Sequence, residues 1–420
     1  MLSKFPLNAL FALPLLGSVA LASPSRIRLE SRDLDFDFNN EKVRGVNLGG
    51  WLLTEPWITP SLYDAAPDAA VDEWTYCETL GAEECKARLK KHWETFITQD
   101  DFEQIAQAGM NHVRIPIGYW AVSKFGDEPY VDGQLEYMDK AITWARETGL
   151  KVLVDLHGAP KSQNGFDNSG RRGPIQWKDQ TTLDQTVDVF DKLAERYAKE
   201  TDVVSSIEAI NEPSITGGVP VEHVKEYYNK AFNTLRKYDD CTVLVLHDGF
   251  NQIDSWNGFL NGEFMNVVIE THQYHVFDSG LLSMDINSHV NAVCSLGSDH
   301  YDKTDKWALG GEWSGALTDC AKYLNGKGLG ARYDGTYEGS SKIGSCEGKY
   351  QGTVAALPAE DKDNMRRFIE AQIEVYEHKN GWLFWTWKTE GAPEWDMQQL
   401  LEEGVFPNPV SQRTYGNQCS

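Results

Sequence analysis

Two glutamates stand at the ends of strand-like segments and have the chemistry to work as a pair. Glu212 lies in Ile-Asn-Glu-Pro, and Glu312 lies in Gly-Gly-Glu-Trp. Carboxyl groups on either side of a glycosidic bond can supply a proton to the leaving oxygen and a nucleophile for the anomeric carbon. We expect Arg114 and Tyr274 to keep the nucleophile ionised by charge and hydrogen bonding. We expect partial burial and the negative charge of Glu312 to keep the acid protonated.

Polar and aromatic side chains also close the other strand-like segments. A single glutamate in such a place is usually half of a salt bridge, whereas a series of polar strand ends is typical of an assembled site. The series consists of Asn47, Glu55, Arg114, Asp155, His157, Asn211, Glu212, His272, Tyr274, Glu312 and Trp385.

The segments that must position these residues alternate between two patterns. Runs rich in β-branched and apolar residues begin at Gly45, His112, Lys151, Ser205, Thr242, Val267, Lys306 and Gly381. Amphipathic stretches with helical spacing lie between them, at 101–109, 137–148, 183–199, 221–237 and 361–378. Eight strands alternating with helices predict an α/β fold, a single (β/α)8 TIM barrel with its site at the C-terminal ends of the strands.

A long segment rich in Gly and Ser, 324–359, separates the last two strands. Within it, 326–331 is similar to a dinucleotide-binding fingerprint, but no strand precedes it and no helix follows, so we interpret it as a loop. We expect elaborated loops of this kind to shape the active-site face.

The composition limits the partners. Lys and Arg number 39 against 63 Asp and Glu, a formal net charge of −24. Such a surface repels phosphate backbones and anionic lipid, so neither nucleic acid nor membrane is expected as a partner. A neutral polymer is compatible with it. The 14 Trp fit either core packing or stacking on sugar rings.

The N-terminus is typical of a secreted protein. Lys4 precedes an apolar stretch, and Ala-Leu-Ala at 20–22 is typical of a signal cleavage site. We predict a signal peptide over 1–22, a short propeptide or N-terminal arm over 23–38 and one catalytic domain over 39–420. Seven cysteines, all after the signal, suit an extracellular or cell-wall location.

Seven motifs in order resemble glycoside hydrolase family 5, in particular its fungal exo-β-1,3-glucanases. They are RGVNLGGWLLTEPW, HVRIPIGYW, DLHGAP, AINEP, THQYHVF, GGEW and GWLFWTWKTE. The resemblance implies a retaining hydrolase that releases glucose from the non-reducing ends of β-1,3-glucan in cell-wall turnover, with transglycosylation as a second outcome. We expect a monomer without a cofactor, and no zinc-ligand spacing indicates a metal site.

The resemblance also assigns roles to residues. It implies that Glu212 is the acid/base and Glu312 the nucleophile. It implies that the sugar ring is surrounded by Glu55, Arg114, His157, Asn211, His272, Tyr274 and Trp385. Phe166 and Phe277 match an aromatic clamp for the next glucose, although loop packing would also explain them.

Cysteine pairing is likewise implied by the resemblance for four residues. They would form the disulfides Cys294–Cys419 and Cys320–Cys346. A Cys77–Cys85 bond is left open, and Cys241 is expected to be a buried free thiol.

Three other functions fit parts of the sequence. An endo-acting β-1,4-glucanase or mannanase of the same fold would share both glutamates, and a transglycosylase would differ only in its acceptor. A non-catalytic, glucan-binding barrel would be expected to lack a glutamate or Arg114, and all three are present. The motifs alone leave exo against endo action and β-1,3 against β-1,6 preference open.

Overall fold

A computed structural model describes residues 34–261 and 266–419 of the chain. The eight strands in these ranges form a closed parallel barrel in sequence order. They are β1 (Val43–Asn47), β2 (His112–Gly118), β3 (Lys151–Gly158), β4 (Val204–Glu208), β5 (Val243–His247), β6 (Val267–Gln273), β7 (Trp307–Trp313) and β8 (Gly381–Phe384). The barrel closes where β1 pairs with β8. The predicted (β/α)8 barrel is confirmed.

Eleven α-helices lie in the described ranges. They are α1 (Pro60–Asp64), α2 (Glu73–Leu80), α3 (Ala82–Thr95), α4 (Gln99–Gln107), α5 (Gln134–Thr148), α6 (Gln180–Tyr197), α7 (Val221–Leu235), α8 (Ser279–Leu282), α9 (Ile286–Asp299), α10 (Ala359–Tyr376) and α11 (Met397–Glu402). The five predicted helices correspond to α4, α5, α6, α7 and α10, with ends that differ by a few residues. None of the helices in this part of the chain is long and apolar enough to cross a membrane.

Helix α6 illustrates how the sequence specifies the outer ring. Asp179 caps its N-terminus by accepting a hydrogen bond from the Thr182 amide, which satisfies one of the otherwise unpaired N–H groups of the first turn. Leu183, Phe190 and Leu193 recur at helical spacing and are buried. This apolar face packs toward the barrel, and the remaining face is solvated.

Six of the helices were not predicted, namely α1, α2, α3, α8, α9 and α11, and α2 shows one reason. Asp72 caps α2, and its carboxylate accepts from the Thr75 amide in a capping box. Only Glu73, Tyr76 and Cys77 of α2 are buried, so the apolar periodicity that marks a packed helix is weak here. A disulfide between Cys77 and Cys85 joins α2 to α3.

An apolar cluster fills the N-terminal end of the barrel. Phe36 and Phe38 pack there against the first residues of the strands, among them Val43 and Val243. Phe36 contacts the His112 ring edge-on at 4.5 Å between centroids. Residues 34–38 of the predicted N-terminal arm therefore close this end, whereas the predicted signal peptide lies outside the described residues.

The disulfides implied by the resemblance are present. Cys294–Cys419 ties α9 to the C-terminus, and Cys320–Cys346 fastens the loop between β7 and β8. Cys241 belongs to none of the three disulfides, and it is partly exposed rather than buried as expected, because it lies just before β5 at the barrel surface.

Candidate active site

The C-terminal ends of the strands bring the predicted polar series together. All its members except Tyr274 are at most 6% exposed. Strand β4 ends at Glu208, so Glu212 lies in the following loop rather than directly at the strand end. The backbone N–H of Asn211 donates to the Leu156 carbonyl at 3.0 Å. This bond continues the sheet past the end of β4 and fixes the loop to β3.

Arg114 on β2 is the central connection of the group and is fully buried. Its guanidinium donates at 2.8–3.0 Å to oxygens of Asn47, Glu208, Asn211 and Glu312, and it forms an ion pair with Asp155 at 3.0 Å. Arg114 can therefore orient the residues of the site.

Glu312 on β7 is held at both oxygens. Arg114 Nη1 donates to Oε1 at 2.8 Å, and the Tyr274 hydroxyl donates to Oε2 at 2.8 Å. Hydrogen bonds from a cation and a hydroxyl to a carboxylate stabilise its ionised form and fix its direction.

Glu212 adopts an uncommon backbone conformation, with φ +46°. Such strain in a non-glycine residue often accompanies a functional constraint. Its Oε1 is bonded to His272 Nδ1 at 2.9 Å, and its Oε2 accepts from Asn168 Nδ2 at 2.9 Å.

His272 lies between the two glutamates. The same Nδ1 that meets Glu212 lies 3.5 Å from Glu312 Oε2. One oxygen of each carboxyl group therefore approaches the same ring nitrogen, which brings the two glutamates to one point of the site. The arrangement fits double displacement.

The order of ionisation of the two glutamates is the reverse of the predicted one. Burial opposes the charge of Glu212, but the His272 hydrogen bond and charge outweigh it and hold the pKa of Glu212 below its ordinary value. Burial raises the pKa of Glu312 despite the charges of His272 and Arg114. Burial also opposes the charge of His272, yet the neighbouring carboxylates, led by Glu312, raise its pKa to about 10. The charge of His272 thus favours the ionised forms of both glutamates.

Glu55 offers a buried oxygen toward the same space. Its Oε2 accepts from Trp57 Nε1 at 2.9 Å, while its Oε1 has no hydrogen-bond partner among the described residues. Burial raises the pKa of Glu55 well above its ordinary value, and the Asp167 charge adds to this. A neutral carboxyl of this kind can both donate to and accept from a sugar hydroxyl.

Trp385 forms one wall beside His157. The two rings are nearly parallel, 5.6 Å apart between centroids, and His157 Nδ1 is bonded to Asp155 Oδ2 at 2.6 Å. A Cβ at Gly49 would lie 2.7 Å from the Trp385 ring, so the glycine allows the indole to pack flat against β1.

Phe166 and Phe277 are exposed at the rim, by 48% and 44%. Phe166 meets Phe250 edge-on at 6.4 Å between centroids, and Phe277 meets Tyr274 edge-on at 5.8 Å. Exposed aromatic faces of this kind are unusual for packing residues and are suited to stacking on sugars.

Comparison with known families decides the class of protein. The family described as Cellulase (glycosyl hydrolase family 5) matches residues 77–391, which is most of the chain. The chain belongs to glycosyl hydrolase family 5. Both glutamates and all the contacts described around them lie within or close to the matched region.

This family 5 hydrolase has close relatives among fungal proteins. It is 59% identical over 420 residues to "Probable glucan 1,3-beta-glucosidase A" of Aspergillus fumigatus, with all of both chains covered. It is 50% identical over 421 residues to "Glucan 1,3-beta-glucosidase" of Blumeria graminis, covering 99% of this chain and 97% of the other. Among solved structures, the rutinosidase of Aspergillus niger shares the fold with a TM-score of 0.69 and 20% identity, over 89% of this chain and 99% of that one.

Four residues of the site were not singled out from the sequence. Asn168 and Phe250 lie on loops in no recognisable motif, and their positions depend on loop conformation. Glu208 and Glu270 lie within strands β4 and β6 and are fully buried. An acidic residue inside an apolar strand was the signal that could have identified the latter two.

One group of side chains has the spacing of a metal site. Glu212, His247 and His272 each offer a ligand atom within 4.8 Å of the others. However, His247 Nδ1 accepts from the Gly249 amide at 2.9 Å, and His272 Nδ1 is bonded to Glu212 Oε1. Contacts within the protein account for these side chains, so we assign no metal to this group.

Proposed function

We propose that this family 5 enzyme is a retaining glucan 1,3-β-glucosidase that removes single glucose units from the non-reducing end of β-1,3-glucan. The observation that carries the proposal is the pair of glutamates that share His272 Nδ1 at 2.9 and 3.5 Å. The names of two relatives support β-1,3-glucan as the substrate, since these proteins are 50–59% identical to the chain over essentially its whole length.

The reaction takes place in two steps. Glu312 attacks the anomeric carbon and forms an ester bond to it, while the glycosidic bond breaks and Glu212 gives its proton to the leaving oxygen. Water then attacks the same carbon, Glu212 takes a proton from it, and the ester bond to Glu312 breaks. Two inversions leave the β-anomer.

Glucan binding must place the proton on Glu212 for the first step. Positive charge that develops at the anomeric carbon stabilises the ionised form of the nearby Glu312. Asn168 and His272 both hold Glu212, and a leaving oxygen beside that residue would compete with the Asn168 contact. Binding of the glucan would thereby raise the pKa of Glu212 above that of Glu312, as the first step requires.

Exo action, in which only the end of the glucan chain enters the site, is supported by contacts between loops. Lys327 Nζ donates to the Tyr63 carbonyl at 2.8 Å, and Arg172 Nη1 donates to the Lys327 carbonyl at 3.2 Å. These bonds join the loops that follow β7, β1 and β3. Joined loops favour a closed pocket over an open groove.

The second glucose would lie between Phe166 and Phe277. A sugar that binds there while the glycosyl-enzyme is present would act as an acceptor, so transglycosylation is part of the proposal.

We also propose that the protein is a secreted monomer with its signal peptide at 1–22 and a role in fungal cell-wall glucan turnover. The three disulfides support an oxidising compartment.

Hydrolysis of laminarin compared with carboxymethylcellulose tests the proposed function. We expect glucose as the sole early product from laminarin and almost none from carboxymethylcellulose. Glu312→Gln is the control and should lower kcat by several orders of magnitude, since no ester intermediate can form. A ladder of oligosaccharides would instead indicate endo action, and preferential cleavage of carboxymethylcellulose would indicate a β-1,4-glucanase.

A further inference from the structure

Two glutamates are buried beneath the catalytic pair. Glu208 on β4 and Glu270 on β6 have no exposed surface, and the negative charge of Glu270 helps to raise the pKa of Glu208. Mutual repulsion of two buried carboxylates favours retention of a proton by one of them.

The neighbours of the two carboxyls decide which of them keeps it. Glu270 Oε1 lies 3.4 Å from His272 Nε2 and 3.9 Å from Arg114 Nη2. Glu208 Oε2 accepts from Arg114 Nε at 2.8 Å, and its Oε1 has no other donor in the described part of the chain. Glu270 therefore lies near both Arg114 and His272, whereas Glu208 contacts Arg114 alone, and this difference favours the proton on Glu208.

The pKa shifts agree with this placement. Burial raises the pKa of Glu208 well above its ordinary value, and Arg114 offsets only part of that effect. Burial acts on Glu270 in the same direction, but the charges of Arg114 and His272 outweigh it and lower the pKa of Glu270 to about 2.

The backbone beside the nucleophile leaves room for the Glu270 carboxylate. A Cβ at Gly311 would lie 2.1 Å from Glu270 Oε2. Any larger residue immediately before Glu312 would displace this carboxylate, so the room for Glu270 is built into the strand that carries the nucleophile.

We propose that Glu270, whose Oε1 lies 3.4 Å from His272 Nε2, is a positioning residue that holds His272 as an imidazolium with Nδ1 directed to Glu212 and Glu312. The proposal rests on the proposed function only for the roles of those two glutamates. His272 Nε2 has no hydrogen-bond partner among the described residues, so Glu270 acts on it through charge and leaves the Nδ1 proton to the catalytic side.

Other ionisable groups surround Glu270 and His272 on every neighbouring element. Besides the two catalytic glutamates they are Arg114, Asp155, His157, Glu208, Tyr228, His247 and Asp248. Burial and the His272 charge hold the pKa of His247 well below its ordinary value, so it is neutral. None of the others replaces a negative charge at His272 Nε2.

Two isosteric variants separate this proposal from a general structural role. In Glu208→Gln the amide copies a neutral carboxyl, because its NH2 can donate to Glu270 and its carbonyl can accept from Arg114. Glu270→Gln keeps the shape but removes the charge from beneath His272, while Glu208 can then ionise beside Arg114. Equal structural importance would predict equal effects from the two.

The measurement is the NMR titration of His272 in protein labelled with 15N-histidine, assigned with His272→Gln, between pH 5 and 9. We expect both ring nitrogens to stay protonated up to pH 8 in the wild type and in Glu208→Gln. In Glu270→Gln the midpoint should fall by at least about two pH units. The basic limb of the pH profile of kcat/KM for an aryl glucoside should move by about one unit in Glu270→Gln and remain in place in Glu208→Gln.

An unchanged His272 titration in Glu270→Gln would overturn the proposal, and so would an equal shift in Glu208→Gln. If Glu270→Gln does not fold, Glu270→Asp is titrated instead, since withdrawal of the carboxylate from His272 Nε2 should lower the midpoint and an unchanged midpoint would overturn the proposal. The NMR titration needs no glucan, so a failure of the proposed function would leave its result unaffected.

Discussion

At the scale of single residues, His272 connects the two halves of the reaction. Its Nδ1 meets Glu212 at 2.9 Å and Glu312 at 3.5 Å. The sequence predicted both glutamates because each ends a motif that also has a strand-like run before it. It predicted the higher pKa for Glu212, whereas the structure gives that residue the lower one, because the buried contacts of one imidazole cannot be read from local sequence.

The role of Glu212 as acid/base predicts a selective defect. Glu212→Ala should reduce kcat strongly for laminarin, whose leaving group needs a proton, but should retain part of the first step for activated aryl glucosides. Added azide should restore turnover with those aryl glucosides, because a small anion can attack the intermediate without base catalysis. The measurement is the rate and the yield of glucosyl azide.

Glu312→Gln serves as the matched control, since azide should not rescue a variant that forms no ester. An equal loss for both substrate types in Glu212→Ala, with no azide product, would show that Glu212 is not the acid/base.

At the scale of elements, the strands could be predicted and part of the loops could not. The eight apolar runs are bounded by turns and polar ends, so both their number and their order follow from pattern. The sequence pattern does not predict helices α2 and α3, because few of their residues are both apolar and buried. Asn168 reaches Glu212 from a loop, and loop conformation depends on tertiary contacts that no local pattern records.

The rim loops after β3 and β6 carry the proposed clamp. Phe277→Ala should raise KM for laminari-oligosaccharides several-fold, because an aromatic contact contributes about 0.5–1.5 kcal/mol beyond its area. An aryl glucoside should be affected less, since its leaving group engages this subsite less fully. Steady-state kinetics on both substrates tests the prediction.

Ile343→Ala, at a residue 39% exposed on the β7–β8 loop, is the control for loss of an exposed apolar side chain. Parallel losses on both substrates together with a lower Tm in Phe277→Ala would identify Phe277 as a packing residue.

At the scale of the whole molecule, the barrel buries many ionisable groups that affect its stability. Burial raises the pKa of Asp248 to about 7, while the unfolded chain has a value of about 3.9. A raised pKa means that the native state binds more protons between these values. The stabilisation is therefore fully present below pH 4 and is lost as the pH rises through 7.

Asp248→Asn should remove this pH dependence. Relative to the wild type, the variant should gain on the order of 2–4 kcal/mol in free energy of unfolding between pH 4 and pH 8. Denaturant unfolding at the two pH values measures it, with Asp68→Asn as an exposed control. A difference between variant and wild type that is the same at both pH values would contradict the assignment.

The central claim is retaining, exo-acting cleavage of β-1,3-glucan by Glu312 and Glu212, and proton NMR of the first sugar released from laminarin tests it most directly. The spectrum reports both the size and the anomeric configuration of the product before mutarotation. We predict β-glucose as the sole initial product, because attack by Glu312 followed by attack by water inverts the anomeric carbon twice. Initial α-glucose, or oligosaccharides in place of glucose, would contradict the claim.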